Sequence, residues 1–588
     1  MRILFGPTNR EPCAVAGHEL LTFGGERSTV QFSQAHESWD TLLERAQAAA
    51  GKADVVVWWL PEDDPFPDGG PSASPVPVVA MVSDWNLSFH SVTTIARRCA
   101  LTLVDRAGAA VLQRRGITRV LPWRIYGYGF DSAVHQLRPV SPRTVDLLFV
   151  GNLNPAIHAE RAHWLRRIAG MAGEYRVRVR GGVFGEAYWT ALAQSRIVFN
   201  HSVRGEMNVR CYEATALGAL LFIESSNLEV GEVLRDGREC VRYDEHTFEA
   251  LARYYLDHED ERERVAMAGR ERIQQERPER RWAILADTLD RLQEAGNLQW
   301  PASASKTVAS ALSSDRGQAH AAINAARSGH LAIACRTAQA LAADHPGDVK
   351  ASATLALAAA HQAADTDLAV EDRDRWRTLA WSLLRRVVQA DGQAALAGRA
   401  LANLSLEKRD SDSAIRWFGW VQAAASHQDG PSDLDLPLYP RLYDDFRSQW
   451  ERATARNDPA DLALLLCWDC ALRLGQLART AGNLTEAIGQ FSRAIRSRPD
   501  LSEPYFERSD CRHEQGQAAL AADDEQQGHG CHPLKLSRWP TLARRLMAAG
   551  RADEAKRFCR ESLDALGAFE RVEGVAAALE SVLADVDR

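Results

Sequence analysis

The residues best suited to bind an anion lie at the start of one helix, in the segment Asn208 to Gly218. Asn208 is a residue type that caps helices, and the free N–H groups and positive end of the helix behind it suit a diphosphate. Arg210 in the first turn can add a charge-assisted contact of roughly 1.5 to 3 kcal/mol. Glu213, three residues further on the same helical face, offers acceptor oxygens that suit ribose hydroxyls.

The alternative for this arginine and glutamate is a solvated ion pair on a helix surface, which is the more common role for such spacing. The residues that follow Glu213 favour a ligand site instead, because the run from Ala214 to Ala219 is almost entirely apolar. Such a run predicts a mostly buried helix, at whose start charged side chains need a partner.

A proton acceptor for a hydroxyl nucleophile has two candidates, Asp84 and His90. Asp84 follows the apolar run from Val78 to Val82, which places it at the carboxyl end of a predicted strand. A helix N-cap explains Asp84 equally well, and a histidine with satisfied hydrogen bonds explains His90 better than a base does. Thr8 and Asn9 lie in the first glycine-containing turn. They fit either a contact with the molecule that carries this hydroxyl or an ordinary turn.

The elements that must position these residues alternate short β-branched runs with amphipathic segments over the first 290 or so residues. This alternation is typical of βαβ units and a parallel sheet. The chain breaks the pattern near Tyr126 to Asp131 and starts afresh at Val145, which predicts two Rossmann-like halves with a ligand cleft between them. The predicted strands are Arg2 to Phe5, Asp54 to Leu60, Val76 to Val82, Leu101 to Val104, Val145 to Val150, Arg176 to Arg180, Ile197 to Asn200 and Ala219 to Ile223.

The second half of the chain is Ala-rich and carries an internal repeat. Gly482, Gly516 and Gly550 are 34 residues apart, and an alanine follows each by five residues. This unit resembles the tetratricopeptide repeat, in which pairs of helices stack on one another. The predicted fold class is therefore α/β followed by all-α. The predicted domains are a first half over 1–135, a second half over 136–295, a linker over 296–318, and a repeat region over 319–588 with an irregular insert near 427–459.

Composition excludes several classes of protein. Lys and Arg number 70 against 78 Asp and Glu, a formal charge of −8, so a nucleic-acid partner is not expected. No apolar run is long enough for a membrane-spanning helix, and the start of the chain lacks the features of a secretory signal. We expect a cytoplasmic protein without a transmembrane segment.

Ten cysteines in 588 residues are too dilute for a disulfide scaffold. Cys467 and Cys470 form a lone CxxC pair without a partner pair, and the group Cys511, His513, Cys531 and His532 falls partly inside a helical repeat. No metal site is predicted. The chain also lacks a dinucleotide-binding GxGxxG motif, a P-loop and a GxSxG elbow.

The segment from Asn208 to Gly218 fits the pattern N-x-R-x-[FY]-E-A-x-A-x-G, and with it the sequence resembles glycosyltransferases of the two-Rossmann GT-B type, within them the bacterial CgeB-like group. The resemblance covers Met1 to Leu292, about half of the chain. It implies transfer of a sugar from a nucleotide-activated donor held mainly by the second half, with no bound metal ion or other cofactor. By the same resemblance Asn208, Arg210 and Glu213 match donor-binding positions. The positions that would approach the phosphates are Gly151, Asn152, Asn154 and Arg161.

The acceptor of the sugar is open at this level. Stacked helical repeats suit the recruitment of a protein, which makes a protein acceptor or an assembly partner attractive. One alternative is a non-catalytic scaffold with a degenerate transferase domain, and another is a transferase for a polysaccharide or a lipid-linked acceptor. The donor nucleotide, the sugar, the stereochemical outcome and the oligomeric state are not specified by the sequence.

Overall fold

The computed structural model describes most of the chain. The described residues are 1–34, 36–67, 70–129, 142–155, 158–298, 322, 325, 330–344, 347–427, 431–433, 446, 449–450, 452–454 and 459–586. None of the helices within these ranges combines the length and apolarity needed to cross a bilayer.

The chain divides into two compact units. One unit holds Met1–Ile125 with Pro278–Cys470, and the other holds Tyr126–Arg277 with Ala471–Arg588. Each unit therefore combines one α/β segment with part of the helical second half.

The first unit contains a seven-stranded sheet in which every pair of neighbouring strands is parallel. The strand order is β3-β2-β1-β4-β5-β6-β7, so the order reverses between β1 and β4. The strands are β1 Arg2–Thr8, β2 Glu19–Gly24, β3 Val30–Gln31, β4 Val55–Trp59, β5 Val78–Met81, β6 Leu101–Val104 and β7 Val120–Pro122. The helices between them are α1 Trp39–Ala50, α2 Phe89–Arg98 and α3 Arg106–Arg114.

The second unit contains a five-stranded parallel sheet of order β12-β11-β10-β8-β9, whose reversal point lies between β8 and β10. Its strands are β8 Val145–Val150, β9 Val177–Arg180, β10 Ser195–Phe199, β11 Leu220–Glu224 and β12 Val241–Tyr243. The helices of this segment are α4 Tyr126–Gly129, α5 Ala159–Ala169, α6 Gly185–Ala193, α7 Val209–Ala216, α8 Phe248–Asp257 and α9 Glu259–Ile273. Helix α10, Pro278–Glu294, belongs to the first unit, where Trp282 packs edge-on against Phe5 of β1.

The eight predicted strands are all present, with ends shifted by up to three residues. Their apolar runs are buried, as in β4, where Val55, Val56 and Val57 are fully shielded from solvent. The sequence prediction missed four strands, β2, β3, β7 and β12. Three of these have only two or three residues, too few for a pattern of apolar residues to stand out.

The buried side chain of Arg143 connects the end of helix α7 to the end of helix α6 and to the first residue of β10. The Arg143 guanidinium donates to the carbonyl oxygens of Ala193 and Ser195 at 2.7 and 2.9 Å, and to those of Leu217 and Gly218 at 3.2 and 2.7 Å. Since these carbonyls lie at or just beyond the C-terminal ends of α6 and α7, the cation also meets the negative ends of both helix dipoles.

The second half of the chain consists of helices that pack mainly on their neighbours in sequence, as tetratricopeptide pairs do. Together with the two sheets, this confirms the predicted class, α/β followed by all-α. The helices are α11 Leu331–Asp344, α12 Val349–Ala363, α13 Val370–Ala390, α14 Ala395–Glu407, α15 Ser411–Ala425, α16 Pro459–Thr480, α17 Leu484–Ser497, α18 Glu503–Glu514, α19 Ala518–Cys531, α20 Trp539–Ala548, α21 Ala552–Leu566 and α22 Glu573–Val586.

The 34-residue spacing has a direct structural cause. Gly482, Gly516 and Gly550 occupy the turns inside three successive helix pairs, with φ of 77°, 78° and 76°. This left-handed conformation is less strained for glycine than for other residues, which explains the glycine at each of these turns. The alanine five residues after each glycine is fully buried, at the point where the paired helices touch.

The last helices of the repeat region form part of the core of the second unit. The N–H of Val179 on the edge strand β9 donates to the carbonyl of Ala568 at 2.8 Å. Trp539, buried with the residues of this sheet face, lies beneath the guanidinium of Arg166 at 4.9 Å. The final repeat thus covers an edge and part of one face of the second sheet.

Some sequence predictions fall outside the described residues. These are most of the linker over 296–318, most of the insert near 427–459, and the segment 130–141 between the two α/β segments. The predicted domain boundaries stay predictions.

Candidate functional site

Two arginine side chains meet near the reversal point of the second sheet. Ligands of doubly wound sheets bind outside the carboxyl ends of the strands at this point. Phe149 and Gly151 mark the end of β8, and Asn200 directly follows β10. Arg161 of α5 and Arg210 of α7 both extend to this place, and we call these five residues the arginine corner.

Arg210 lies in the corner with defined partners. Its Nη1 donates to Oδ1 of Asn200 at 2.8 Å, and its guanidinium lies 4.6 Å from the centre of the Phe149 ring. A Cβ atom at Gly151 would come within 2.3 Å of Nη2 of Arg210. A larger residue at position 151 would therefore displace the guanidinium.

Arg161 is almost fully buried, with 5% of its surface exposed. Its Nε and Nη2 donate to the carbonyl of His201 at 2.9 and 2.5 Å, and its guanidinium lies 5.5 Å from the Phe149 ring. Burial in the first place, and the charge of Arg210 in the second, lower the pKa of Arg161 to about 9. The side chain stays charged at neutral pH.

Both guanidinium groups bond to uncharged oxygens. Among the described residues, no carboxylate lies within ion-pairing distance of Arg161 or Arg210. The carboxylates of Glu206 and Glu224 act on the charge of Arg161 from a longer distance. Guanidinium groups without a directly paired carboxylate suit a phosphate group.

The remaining residues of the predicted motif divide into two groups. Asn208 occupies the N-cap position of α7, as predicted, but its side chain makes no capping bond and donates instead to Oδ1 of Asn200 at 3.0 Å. Glu213 is 5% exposed and accepts a hydrogen bond from Nε1 of Trp189 at 3.1 Å. The helix is mostly buried, as its sequence predicts, which excludes a solvated surface pair for Glu213.

The turn after β8 contains two more predicted residues. Oδ1 of Asn152 accepts from the N–H of Asn154 at 2.8 Å, which stabilises the turn, and the carbonyl of Asn152 lies 3.5 Å from Nη1 of Arg161. The structure thus brings together Gly151, Asn152, Arg161, Asn208 and Arg210 around one corner. Their roles in binding a donor stay predictions.

The first sheet carries carboxyl groups at the corresponding edge. Glu62 follows β4, next to the reversal point of this sheet, and is 2% exposed. Its Oε1 accepts from the N–H of Ser83 at 2.6 Å, from the Ser83 hydroxyl at 3.0 Å and from the N–H of Asp84 at 3.1 Å. Burial in the first place, then the nearby charge of Asp63, raises the pKa of Glu62 to about 8.

Asp84 and His90, the two predicted bases, lie in different environments. Asp84 is half-buried and follows β5, and its helix N-cap alternative is not realised, because α2 begins only at Phe89 with Ser88 as its cap. His90 is 1% exposed inside α2. The carboxylate of Asp105, after β6, accepts from the indole of Trp85 at 3.0 Å and caps α3. Of these groups, Asp84 is the one that solvent can reach most easily.

Thr8 is the last residue of β1, and Asn9 follows it directly. The carbonyl of Thr8 accepts from the Ser28 hydroxyl at 2.6 Å, and Oδ1 of Asn9 accepts from the N–H of Arg27 at 2.9 Å.

Sequence reasoning missed Glu62, Phe149 and Asn200. Phe149 and Asn200 stand at the ends of predicted strands, so their position at the carboxyl edge was a usable signal. Glu62 lies in a Pro-rich stretch, and nothing in the sequence of that stretch indicates that its carboxyl group turns inward.

Among the described residues, no group of three or more His, Cys, Asp and Glu side chains is arranged to hold a metal ion.

Comparison with known proteins gives one family match. Residues 134–287, about a quarter of the chain, match the family model described as glycosyl transferase-like. The search of curated proteins found no match.

Solved structures resemble parts of the chain. Sucrose-phosphate synthase from Thermosynechococcus elongatus is 10% identical, with 50% of this chain and 99% of that chain covered and a TM-score of 0.31. TarM is 9% identical, with 40% and 54% covered and a TM-score of 0.30. MamA is 13% identical, with 34% and 95% covered and a TM-score of 0.23. Likenesses of this size say nothing about substrates. The chain therefore contains a glycosyl transferase-like domain, and the matched segment includes the whole second sheet and the arginine corner.

Proposed function

We propose that the protein is a glycosyltransferase that moves a sugar from a nucleotide-sugar donor, of the CgeB-like kind, to an acceptor. The observation that carries the proposal is the arginine corner, where two guanidinium groups without carboxylate partners lie at the reversal point of a parallel sheet. A diphosphate is the part of the donor that suits this charge.

The loop after β9 supports the nucleotide part of the proposal. Phe184 in this loop is 83% exposed, and the flanking Gly182 and Gly185 have φ of 68° and 61°. An aromatic ring that is open to solvent at the carboxyl edge of the sheet offers a face on which a nucleobase can stack.

The first experiment is calorimetric titration of the full chain with a panel of nucleoside diphosphates and nucleotide sugars. We expect one nucleoside diphosphate to bind, and Arg210→Ala and Glu213→Ala to weaken it. Arg253→Ala is the matched control, since Arg253 forms an exposed ion pair with Glu174 at 3.0 Å. A folded protein that binds no member of the panel would contradict the proposal and favour a non-catalytic scaffold.

We further propose that the acceptor is a protein recruited by the tetratricopeptide helices. Stacked helix pairs provide an extended surface for a polypeptide, which supports this choice. With a radiolabelled donor and a fractionated extract, label should enter protein. Label found only in polysaccharide or lipid would contradict a protein acceptor and leave the transferase in place.

Transfer without a bound metal ion is the last part of the proposal. Excess EDTA should leave the rate of nucleoside diphosphate release unchanged. A rate restored only by added Mg²⁺ or Mn²⁺ would contradict it.

A further inference from the structure

Asn200 is the residue to which two of the predicted donor-binding side chains are attached. It directly follows β10 at the reversal point of the second sheet and is fully buried. Its Oδ1 accepts from Nη1 of Arg210 at 2.8 Å and from Nδ2 of Asn208 at 3.0 Å. One amide oxygen therefore links the N-cap and the first turn of α7 to the end of β10.

The backbone of Asn200 is itself held firmly. Its N–H donates to the carbonyl of Phe222 on β11 at 2.8 Å, and its carbonyl accepts from the hydroxyl of Tyr243 on β12 at 2.7 Å. The amide side chain thus starts from a rigid part of the sheet, which makes it a suitable anchor for a long and flexible arginine.

Three contacts together determine where the Arg210 guanidinium lies. Asn200 holds Nη1, the Phe149 ring lies 4.6 Å from the guanidinium carbon, and Gly151 leaves the space that Nη2 occupies. Phe149 and Gly151 limit where the group can go, but of the three only Asn200 offers a hydrogen-bond acceptor to it. Without Asn200 the arginine would keep its charge and lose its orientation.

Two buried donors of this arrangement have no hydrogen-bond partner among the described residues. They are Nδ2 of Asn200 and Nε of Arg210. A buried donor without a partner costs free energy, and a bound acceptor such as a phosphate oxygen would remove this cost. The first atom belongs to Asn200 itself, and the second belongs to the arginine that donates to Oδ1 of Asn200.

We propose that Asn200 is a positioning residue, which orients Arg210 toward the diphosphate of the donor. This inference rests on the proposed function of the same site. Asn200 acts through the arginine, so it affects binding of the phosphate groups and not of the nucleoside.

A double-mutant cycle on the full chain tests this role. Dissociation constants are measured for the nucleoside diphosphate found in the panel, with wild type, Asn200→Ala, Arg210→Ala and the double variant. We expect Asn200→Ala to weaken binding by about tenfold or more, the size of one lost charged hydrogen bond. In the Arg210→Ala background the same change should have a much smaller effect, limited to what Asn200 contributes through Asn208.

The free nucleoside serves as the second ligand, because a merely structural role of Asn200 would weaken both ligands alike. We expect its affinity to be the same in wild type and in Asn200→Ala. Asn200→Ser, which keeps a small polar side chain that is too short to reach Arg210, replaces the alanine variant if the latter does not fold. Gly151→Ala displaces the same guanidinium from the other side and should give the same selective loss.

The possible outcomes distinguish a failure of the proposed function from a failure of the inference about Asn200. Wild type that binds no nucleotide overturns the proposed function and the inference with it. Wild type that binds the diphosphate, with Asn200→Ala and Asn200→Ser binding it equally well, overturns the inference alone. Losses that add fully in the double variant also overturn it, since they would show that Asn200 acts independently of Arg210.

Discussion

The two sheets of this protein are built on the same plan and carry different kinds of polar group at the same edge. Each is parallel, and each places polar side chains beyond the carboxyl ends of the strands near its reversal point. In the first sheet these side chains are the carboxyl groups of Glu62 and Asp84. In the second they are the guanidinium groups of Arg161 and Arg210.

The two edges differ in the kind of polar group that they hold and in the partners of that group. Glu62 is buried among backbone N–H groups and carries a raised pKa, so this edge holds a proton that can be gained or lost near neutral pH. An arginine side chain is a permanent cation. The oxygens to which Arg161 and Arg210 donate hydrogen bonds are uncharged. The first edge therefore holds a carboxyl group with a raised pKa, and the second holds two cations.

Among the substitutions that test this difference between the two edges, Asp84→Asn is expected to have the largest effect. If Asp84 accepts the proton of the acceptor hydroxyl, its loss should slow transfer by about 10³-fold or more, with donor affinity unchanged. The measurement is the rate of sugar transfer together with the dissociation constant of the donor. Unchanged transfer would remove Asp84 as the base, and His90→Gln would then be examined in the same assay.

Glu62→Gln tests the proton-holding role of the first edge through stability. In the unfolded chain Glu62 ionises near 4.5, whereas in the folded protein it stays protonated up to about 8. Wild type therefore loses stability as the pH rises through this window, and the glutamine variant lacks this loss. Between about pH 5 and pH 7 the stability of the variant relative to wild type should rise by about 3 kcal/mol.

The readout is the free energy of unfolding of both proteins in denaturant at several pH values. A difference in unfolding free energy that stays constant over this pH range would show that folding does not raise the pKa of Glu62. This result would contradict the difference that we describe between the two edges.

Arg161→Met tests the second edge. The substitution keeps the apolar stem and removes one of two charges, so nucleoside diphosphate affinity should fall by about 10- to 100-fold. Asp84→Asn in the same titration should change the affinity by less than about twofold. Equal losses of affinity in both variants would mean that the first edge contributes to nucleotide binding as much as the second.

Phe184→Ala is expected to have the smallest effect. Loss of one stacking face should weaken the nucleoside diphosphate by about five- to tenfold, corresponding to about 1 kcal/mol, and should weaken the free nucleoside by the same factor. Phe184→Tyr is the matched control and should bind like wild type. A loss seen with the diphosphate alone would contradict stacking on the base.

Much of the fold could be predicted from the sequence, because its patterns are local. Apolar runs such as Val145 to Val150 indicate buried strands, and the glycines at 482, 516 and 550 indicate repeated helix turns. The burial of α7 could also be predicted, since its apolar residues leave no exposed face. Short edge strands such as β3 could not, because pairing with a longer neighbour decides whether they form.

The sequence by itself determined which residue types stand at the carboxyl ends of the strands, and with them the predicted anion site around Arg210. Tertiary structure decided their partners. Asn200 and Arg210 are ten residues apart, and Glu62 and Asp84 are 22 apart, so strand order and register bring each pair together. The raised pKa of Glu62 was likewise decided chiefly by burial, which the tertiary structure creates.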